Sequence, residues 1–209
     1  MGKGSGKAAS FTHERKDMYH FFAYMARMKL IRRWSLMKSV TDENIAEHSA
    51  QVAQIAHALA LIKNRLYGGD LNPDRVATMA LYHETSEVLT GDLPTPIKYY
   101  NPEIRQAYKQ IEGIANEKLI SMLPEELRAD YRELMMEDTT SYEYVLVKAA
   151  DKISAYIKCV EELRSGNREF AKAEKSLREE IRKYESYEEI RYFCEKFLST
   201  FRKTLDELE

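Results

Sequence analysis

The chain has 209 residues, 44% hydrophobic and 32% charged, with a formal net charge of −2, the profile of an ordinary globular protein able to bury one sizeable core. No apolar run approaches the ~20 residues that span a bilayer. A near-neutral balance gives no global attraction to nucleic acid or anionic membrane, so any anion site must be local.

Met1 to Ser10 is rich in Gly, Lys and Ser with no apolar segment behind it. It reads as a flexible start and not a signal peptide, with residues 11–209 forming one domain. Apolar residues then recur at helical spacing, which predicts an all-α, single-domain helical bundle. The first helix is expected over Phe11–Ile31, with Phe22, Met25, Ala26 and Leu30 among its apolar positions. Thr41 or Asp42 is placed to cap a second helix that runs to about Tyr67 and ends at Gly68-Gly69. Asn72-Pro73 opens a third, expected to reach about Leu89. Gly91 to Pro96 reads as a loop, because its two prolines remove donors and bias their predecessors away from helix. Helices follow over Glu103–Met122, Pro124–Asp138, Tyr142–Ser165, Arg168–Tyr184 and Tyr187–Glu209. In the last, Ile190, Phe193, Phe197, Phe201 and Leu205 make a stripe expected to pack on the body.

Cys159 and Cys194 form no CxxC pair, which argues against a zinc ribbon and fits a reducing, cytoplasmic setting. Among the five histidines, His48 and His83 stand in unusually polar company, within Asn44–Ser49 and Leu81–Leu89. Asp151 interrupts the most apolar helix. His83 and Glu87 are four apart and share a helical face, as do Glu84 and Glu87 at three. His57 lies half a revolution from His48 and reads as a partly buried or surface residue. Imidazole and carboxylate groups from different helices suit a divalent metal in a bundle core. A lone helical histidine is nevertheless more often a core or surface residue, and a helical acid an ion-pair partner. Spacing alone leaves both readings open.

The order His48, then His83 with an adjacent acid, then Asp151 resembles the H…HD…D signature of HD-domain phosphohydrolases. Arg33-Trp34, Glu47-His48-Ser49, the run Ser86–Pro96 and Ala155–Cys159 resemble the bacterial 5′-deoxynucleotidase branch of that superfamily, over roughly Phe21 to Leu205. The resemblance implies metal-dependent hydrolysis of deoxyribonucleoside 5′-monophosphates to deoxynucleoside and phosphate. It implies one divalent transition ion (cobalt, manganese, iron or zinc) held by His48, His83, Glu84 and Asp151. It makes Arg33 the phosphate-orienting residue, where a planar guanidinium suits phosphate oxygens, and lays Trp34 against the nucleoside. Asp92, Leu93, Pro94 and Thr95 match the substrate loop. Glu87 is placed to move a proton, as an acid for the departing 5′ oxygen or as a base orienting water. A homodimer is also implied.

The family has aspartate where this chain has Glu84. Glutamate keeps the charge but adds a methylene, which leaves a functional variant, a changed metal preference and a weakened site all open. Rival readings are another HD chemistry, on deoxynucleoside triphosphates or cyclic nucleotides, and a nucleotide-binding protein that has lost turnover. The basic cluster Arg27, Lys29, Arg32, Arg33 and Lys38 is too isolated to argue for a nucleic-acid polymer, and no membrane partner is expected.

Overall fold

A computed structural model of the chain describes residues 18–98, 100–136 and 138–208. The expected flexible start, Met1–Ser10, and the first residues of the expected opening helix lie outside them. Regular structure among the described residues is helical, the one β-type contact being an isolated antiparallel bridge between Arg32 and Asn44. No helix there is long and apolar enough to cross a membrane.

Two long helices form the centre. Helix α2 (Ile45–Leu66) starts where the Asn44 side chain accepts the N–H groups of Ala46 and Glu47, and the Glu47 carboxylate returns to the Asn44 N–H. This reciprocal cap satisfies donors that the first helical turn leaves open. Thr41 and Asp42 were the expected caps, and neither serves, because residues 40 and 41 are held elsewhere by Glu162. Helix α8 (Tyr142–Arg164) is capped by Ser141. The two pack through Val52, Ala56, Leu59, Leu146, Ala150, Ile153 and Ile157. Helix α3 (Pro73–Tyr82) adds Val76 and Ala80, and helices α9 (Ala171–Arg182) and α10 (Glu188–Lys196) add Ile181, Ile190 and Phe193 to the same core.

A second core forms around Phe21 from α1 (Phe21–Met25), Ile45, Val88, Leu119, Ile120 and Met135. Helices α6 (Pro102–Ile120) and α7 (Glu125–Met135) supply its outer wall. Ile45 lies in one core and Val52 in the other, so the first turns of α2 bridge them. Ala80 and Val88 flank His83 and Glu87 in the same way. The seam between the two cores is where the polar residues of interest converge.

Four segments differ from expectation. The opening helix is a five-residue α1 followed by a 3-10 turn at Met28–Leu30. Its buried residues are Phe21 and Met28, whereas Phe22 and Leu30 are 59% and 58% exposed; Phe21 is drawn inward by edge-on packing with Tyr131. Helix α3 stops at Tyr82 instead of Leu89. The Thr85 hydroxyl donates to the Tyr82 carbonyl, a local bond that competes with the helical ladder. The backbone tightens into three-residue turns until a short α4 (Glu87–Thr90). At the C-terminus α10 ends at Lys196 and the chain continues as 3-10 turns. Ile190 and Phe193 of the stripe are buried, but Leu205 is 83% exposed. The loop from Gly91 also shortens, because Pro94 begins a turn that becomes α5 (Thr95–Lys98).

A buried ion pair holds the loop that precedes α2. Lys158 and Glu162, 4% and 2% exposed, pair one turn apart on α8. Lys158 also donates to the Thr41 carbonyl, and Glu162 accepts the N–H groups of Val40 and Thr41 and the Asn167 amide. Removing one member leaves the other charged and unpaired, which costs ~3–5 kcal/mol. Glu162→Ala is therefore expected to lower the unfolding free energy by that much, read as a lower urea midpoint at unchanged m-value. Burial alone would raise the Glu162 carboxyl, but Lys158 and the N–H donors outweigh it and hold it at about 2, against an ordinary 4.5. A depressed folded value means that this stabilisation is complete above the ordinary value and fades as pH falls toward 2.

Candidate metal centre and substrate cleft

The end of α3, the start of α2 and the middle of α8 bring His48, His83, Glu84 and Asp151 together. One ligand atom from each lies within 4.8 Å of all the others. His48 is fully buried, and its Nε2 is 3.1 Å from Asp151 Oδ1 and 3.7 Å from Glu84 Oε1. His83 Nε2 is also 3.7 Å from Glu84 Oε1.

The surrounding hydrogen bonds decide what these atoms offer. The Ser154 hydroxyl donates to Gln51 Oε1 at 2.6 Å, so its oxygen accepts the N–H of His48 Nδ1 at 3.1 Å. The His83 Nδ1–H donates to the Ala80 carbonyl at 2.7 Å. The His83 ring is thereby assigned the tautomer whose Nε2 carries a lone pair toward the cluster, and His48 turns its Nε2 to Asp151 Oδ1 at hydrogen-bond distance. His83 Nε2 is buried with no hydrogen-bond partner among the described residues, and burial holds His83 below its ordinary pKa, favouring the neutral ring. Two imidazole Nε2 atoms and two carboxylates thus face one another within 4.8 Å. Such a cluster of imidazole and carboxylate groups suits a divalent cation, and the donor set fits one.

Glu84 does more than face the histidines. Its Oε1 and Oε2 accept from Arg33 Nη1 at 2.7 and 2.8 Å. Burial opposes its charge, but the Arg33 guanidinium leads the interactions that bring its carboxyl down to about 2. The longer arm of glutamate therefore touches both the histidine pair and the arginine. Asp151 is held well below its ordinary value against the same burial, chiefly by Lys152 and His48.

Arg33 and Trp34 sit on a tight connection that runs antiparallel to the residues before α2. Arg33 N donates to the Glu43 carbonyl and Ile45 N to the Ile31 carbonyl. Trp34 has φ 59°, a left-handed value that no other described non-glycine residue adopts and that side chains adopt at a cost. Its ring lies 5.3 Å from Phe170. Of the basic cluster, Arg33 alone turns inward, while Arg27, Lys29, Arg32 and Lys38 are exposed.

Glu87 is 4% exposed, and its Oε2 has no partner among the described residues. Burial, with the carboxylates of Glu84 and Asp92 nearby, holds its carboxyl far above the ordinary range and therefore protonated. Asp92 is likewise raised by burial, and faces Arg33 and the Trp34 backbone N–H. Leu93 and Pro94 are half-buried beside it, and the Thr95 backbone opens α5. His57 lies apart, 39% exposed and 3.6 Å from Asp74, outside the cluster.

Glu43, Gln51 and Ser154 were not singled out from the sequence. Gln51 and Ser154 each stand one helical turn beyond a candidate ligand, so their signal was present. Glu43 carried none, since its partners lie ten residues back across a turn.

Solved structures share this architecture. An HD-domain phosphohydrolase from Listeria innocua superposes with a TM-score of 0.79 at 24% identity, over 87% of this chain and 88% of that one. The HD phosphohydrolase of cyanophage S-2L, bound to dA and one catalytic Zn2+, superposes at 0.60 with 20% identity, over 85% and 95%. The fold is that of the HD-domain phosphohydrolases. The sequence model of YfbR-like 5′-deoxynucleotidases matches residues 20–201. A 5′-deoxynucleotidase of Vibrio cholerae is 57% identical over 190 residues, 90% of this chain and 97% of its own. One from Erwinia tasmaniensis is 55% identical, covering 90% and 96%. The chain belongs to the YfbR-like 5′-deoxynucleotidase family.

Proposed function

We propose that this protein is a metal-dependent 5′-deoxynucleotidase that cleaves deoxyribonucleoside 5′-monophosphates to deoxynucleoside and phosphate. The observation that carries the reading is the close cluster of His48, His83, Glu84 and Asp151 beside an inward-turned arginine. The 5′-deoxynucleotidase names of relatives above half identity give the substrate class.

His48, His83, Glu84 and Asp151 would hold a divalent cation, which would supply Lewis-acid charge for a phosphoryl oxygen and a water activated at neutral pH. Cobalt, manganese, iron and zinc all suit this donor set. Arg33 presents a guanidinium edge to the phosphate and orients it for attack. The departing 5′ oxygen leaves as an alkoxide unless it receives a proton, and Glu87, kept protonated by burial, donates it. Trp34 lies against the nucleoside, and Asp92, Leu93, Pro94 and Thr95 close the sugar side, where a 2′-hydroxyl would meet the proline-stiffened wall. We read the protein as cytoplasmic and as a homodimer. Phe197 and Leu205, 43% and 83% exposed, leave apolar surface for a second copy.

Product analysis tests the reading against other HD chemistries. Protein reloaded with each of the four metals should release orthophosphate from dAMP and neither pyrophosphate nor tripolyphosphate from dATP. Tripolyphosphate as the main product would transfer the site to a different reaction.

A further inference from the structure

We infer that Glu43 is a positioning residue for the substrate cleft, setting the orientation of Arg33 and Trp34 together and thereby nucleotide affinity. The inference rests on the reading of those two residues as substrate contacts.

A single oxygen carries the arrangement. Glu43 Oε2 accepts from Arg33 Nε at 3.0 Å and from Trp34 Nε1 at 2.9 Å. The Glu43 backbone carbonyl also accepts the Arg33 N–H at 2.9 Å. Three hydrogen bonds therefore run from two adjacent residues to one. The carboxylate is 12% exposed and Arg33 11%, so water competes poorly for them.

Each bond constrains something specific. With Nε tied to Glu43, the opposite edge of the guanidinium is the one directed at Glu84 and the cluster. With Nε1 tied to the same oxygen and the ring against Phe170, the indole has one settled tilt despite its left-handed backbone. Glu43 also directly precedes Asn44, the cap of α2, four residues before Glu47 and five before the ligand His48. The cleft contacts and the metal-ligand helix thus share one anchor. Glutamate is suited to the task because one anionic oxygen can accept two donors at once, whereas an amide brings its own N–H groups into a space already filled with donors.

Trp34 is the only tryptophan, so its fluorescence reports this contact directly. Glu43→Gln, with Glu43→Asp beside it, is compared with wild type for Trp34 emission, for KM and kcat on dAMP with cobalt, and for cobalt affinity by calorimetry. Glu43→Gln should shift the emission to the red as the indole N–H exchanges its carboxylate for solvent. KM should rise at least ~10-fold while kcat falls less than ~3-fold, and cobalt affinity should stay within ~3-fold of wild type. The ratio of dAMP to AMP turnover should fall as the indole loses its tilt. Glu43→Asp, which keeps the charge but is one methylene short, should move each quantity in the same direction by less, and it decides the question if the glutamine variant misfolds. Unchanged emission overturns the inference, as does an unchanged KM with the loss confined to kcat. Failure of the underlying reading looks different, because then the wild-type protein itself turns over no dAMP.

Discussion

Asp151→Asn is expected to abolish metal binding and to lower kcat/KM for dAMP by at least ~10³-fold, the loss that follows from removing several kcal/mol of metal-derived charge stabilisation at about tenfold per 1.36 kcal/mol. Asp151 is 9% exposed and sits on the helix at the centre of the bundle. Its Oδ1 faces His48 Nε2 at 3.1 Å and its Oδ2 accepts from Lys152 at 3.0 Å. Asparagine fills the same volume but removes the charge, and can turn an N–H toward a lone pair that a cation requires. The stability readout separates this from a folding defect. Wild type should gain thermal stability on adding cobalt, because a ligand that binds only the folded state raises the midpoint by mass action. The variant should unfold cooperatively and show no such gain. A variant that keeps both its cobalt-dependent shift and its activity would remove Asp151 from the ligand set.

Glu87→Gln is expected to lower kcat by ~10²–10⁴-fold, the range for loss of a positioned proton donor, with cobalt and dAMP affinities near wild type. Glutamine matches the carboxyl in shape but cannot release a proton to the leaving oxygen. The pH profile adds a second test. In wild type the rate should fall on the alkaline side as Glu87 loses its proton, and the variant should lack that limb. A cation beside Glu84 opposes the repulsion that raises Glu87, drawing its value down toward the range where an acid works best at neutral pH. A variant with unchanged kcat would assign the proton to another group. Because the Glu87 carboxyl is buried without a partner for Oε2, the same substitution should not destabilise the fold. Such buried, unsatisfied groups are expected where function and stability compete.

The legibility of the chain follows from the range of the forces involved. Helices α2 and α8 were readable because many apolar residues repeat at helical spacing over five or more turns, and because Pro73 and the paired glycines after Tyr67 punctuate the neighbouring segments. The break after Tyr82 was not readable from periodicity, since it depends on one threonine hydroxyl competing for a carbonyl. The α2 cap fell at Asn44 and not at Thr41, because Glu162, more than a hundred residues away, holds the backbone at residues 40 and 41. Among the candidate site residues, His48, His83, Glu84 and Asp151 carried little weight from spacing alone and gained it from their order and from the long Leu89–Pro96 run. Glu43 shows the limit most clearly. An acid just before a helix cap looks like ordinary helix-terminal charge, and nothing in its neighbourhood announces that it gathers Arg33 and Trp34.

Glu84 is the position where this chain departs from the aspartate of the HD signature, and its contacts show how the longer arm is used. It reaches the two histidines while holding Arg33 from the same carboxylate. In that arrangement the arginine is already balanced by Glu43 and Glu84 before a phosphate arrives. A phosphate dianion gains little from Arg33 alone, and needs the additional charge of a cation in the cluster. Metal is therefore expected to strengthen substrate binding as well as supply the chemistry, beside the carboxylates of Glu43, Glu84 and Asp151. The expectation that follows is a working metal-dependent deoxynucleotidase with glutamate at position 84. It is tested most directly by phosphate release from chelator-stripped protein given dAMP, AMP or 3′-dAMP, with and without cobalt, manganese, zinc or iron. No release is expected without metal, and metal-dependent release from dAMP should lie well above that from AMP or the 3′ ester. Silence with every metal, or equal release from dAMP and AMP, would contradict it.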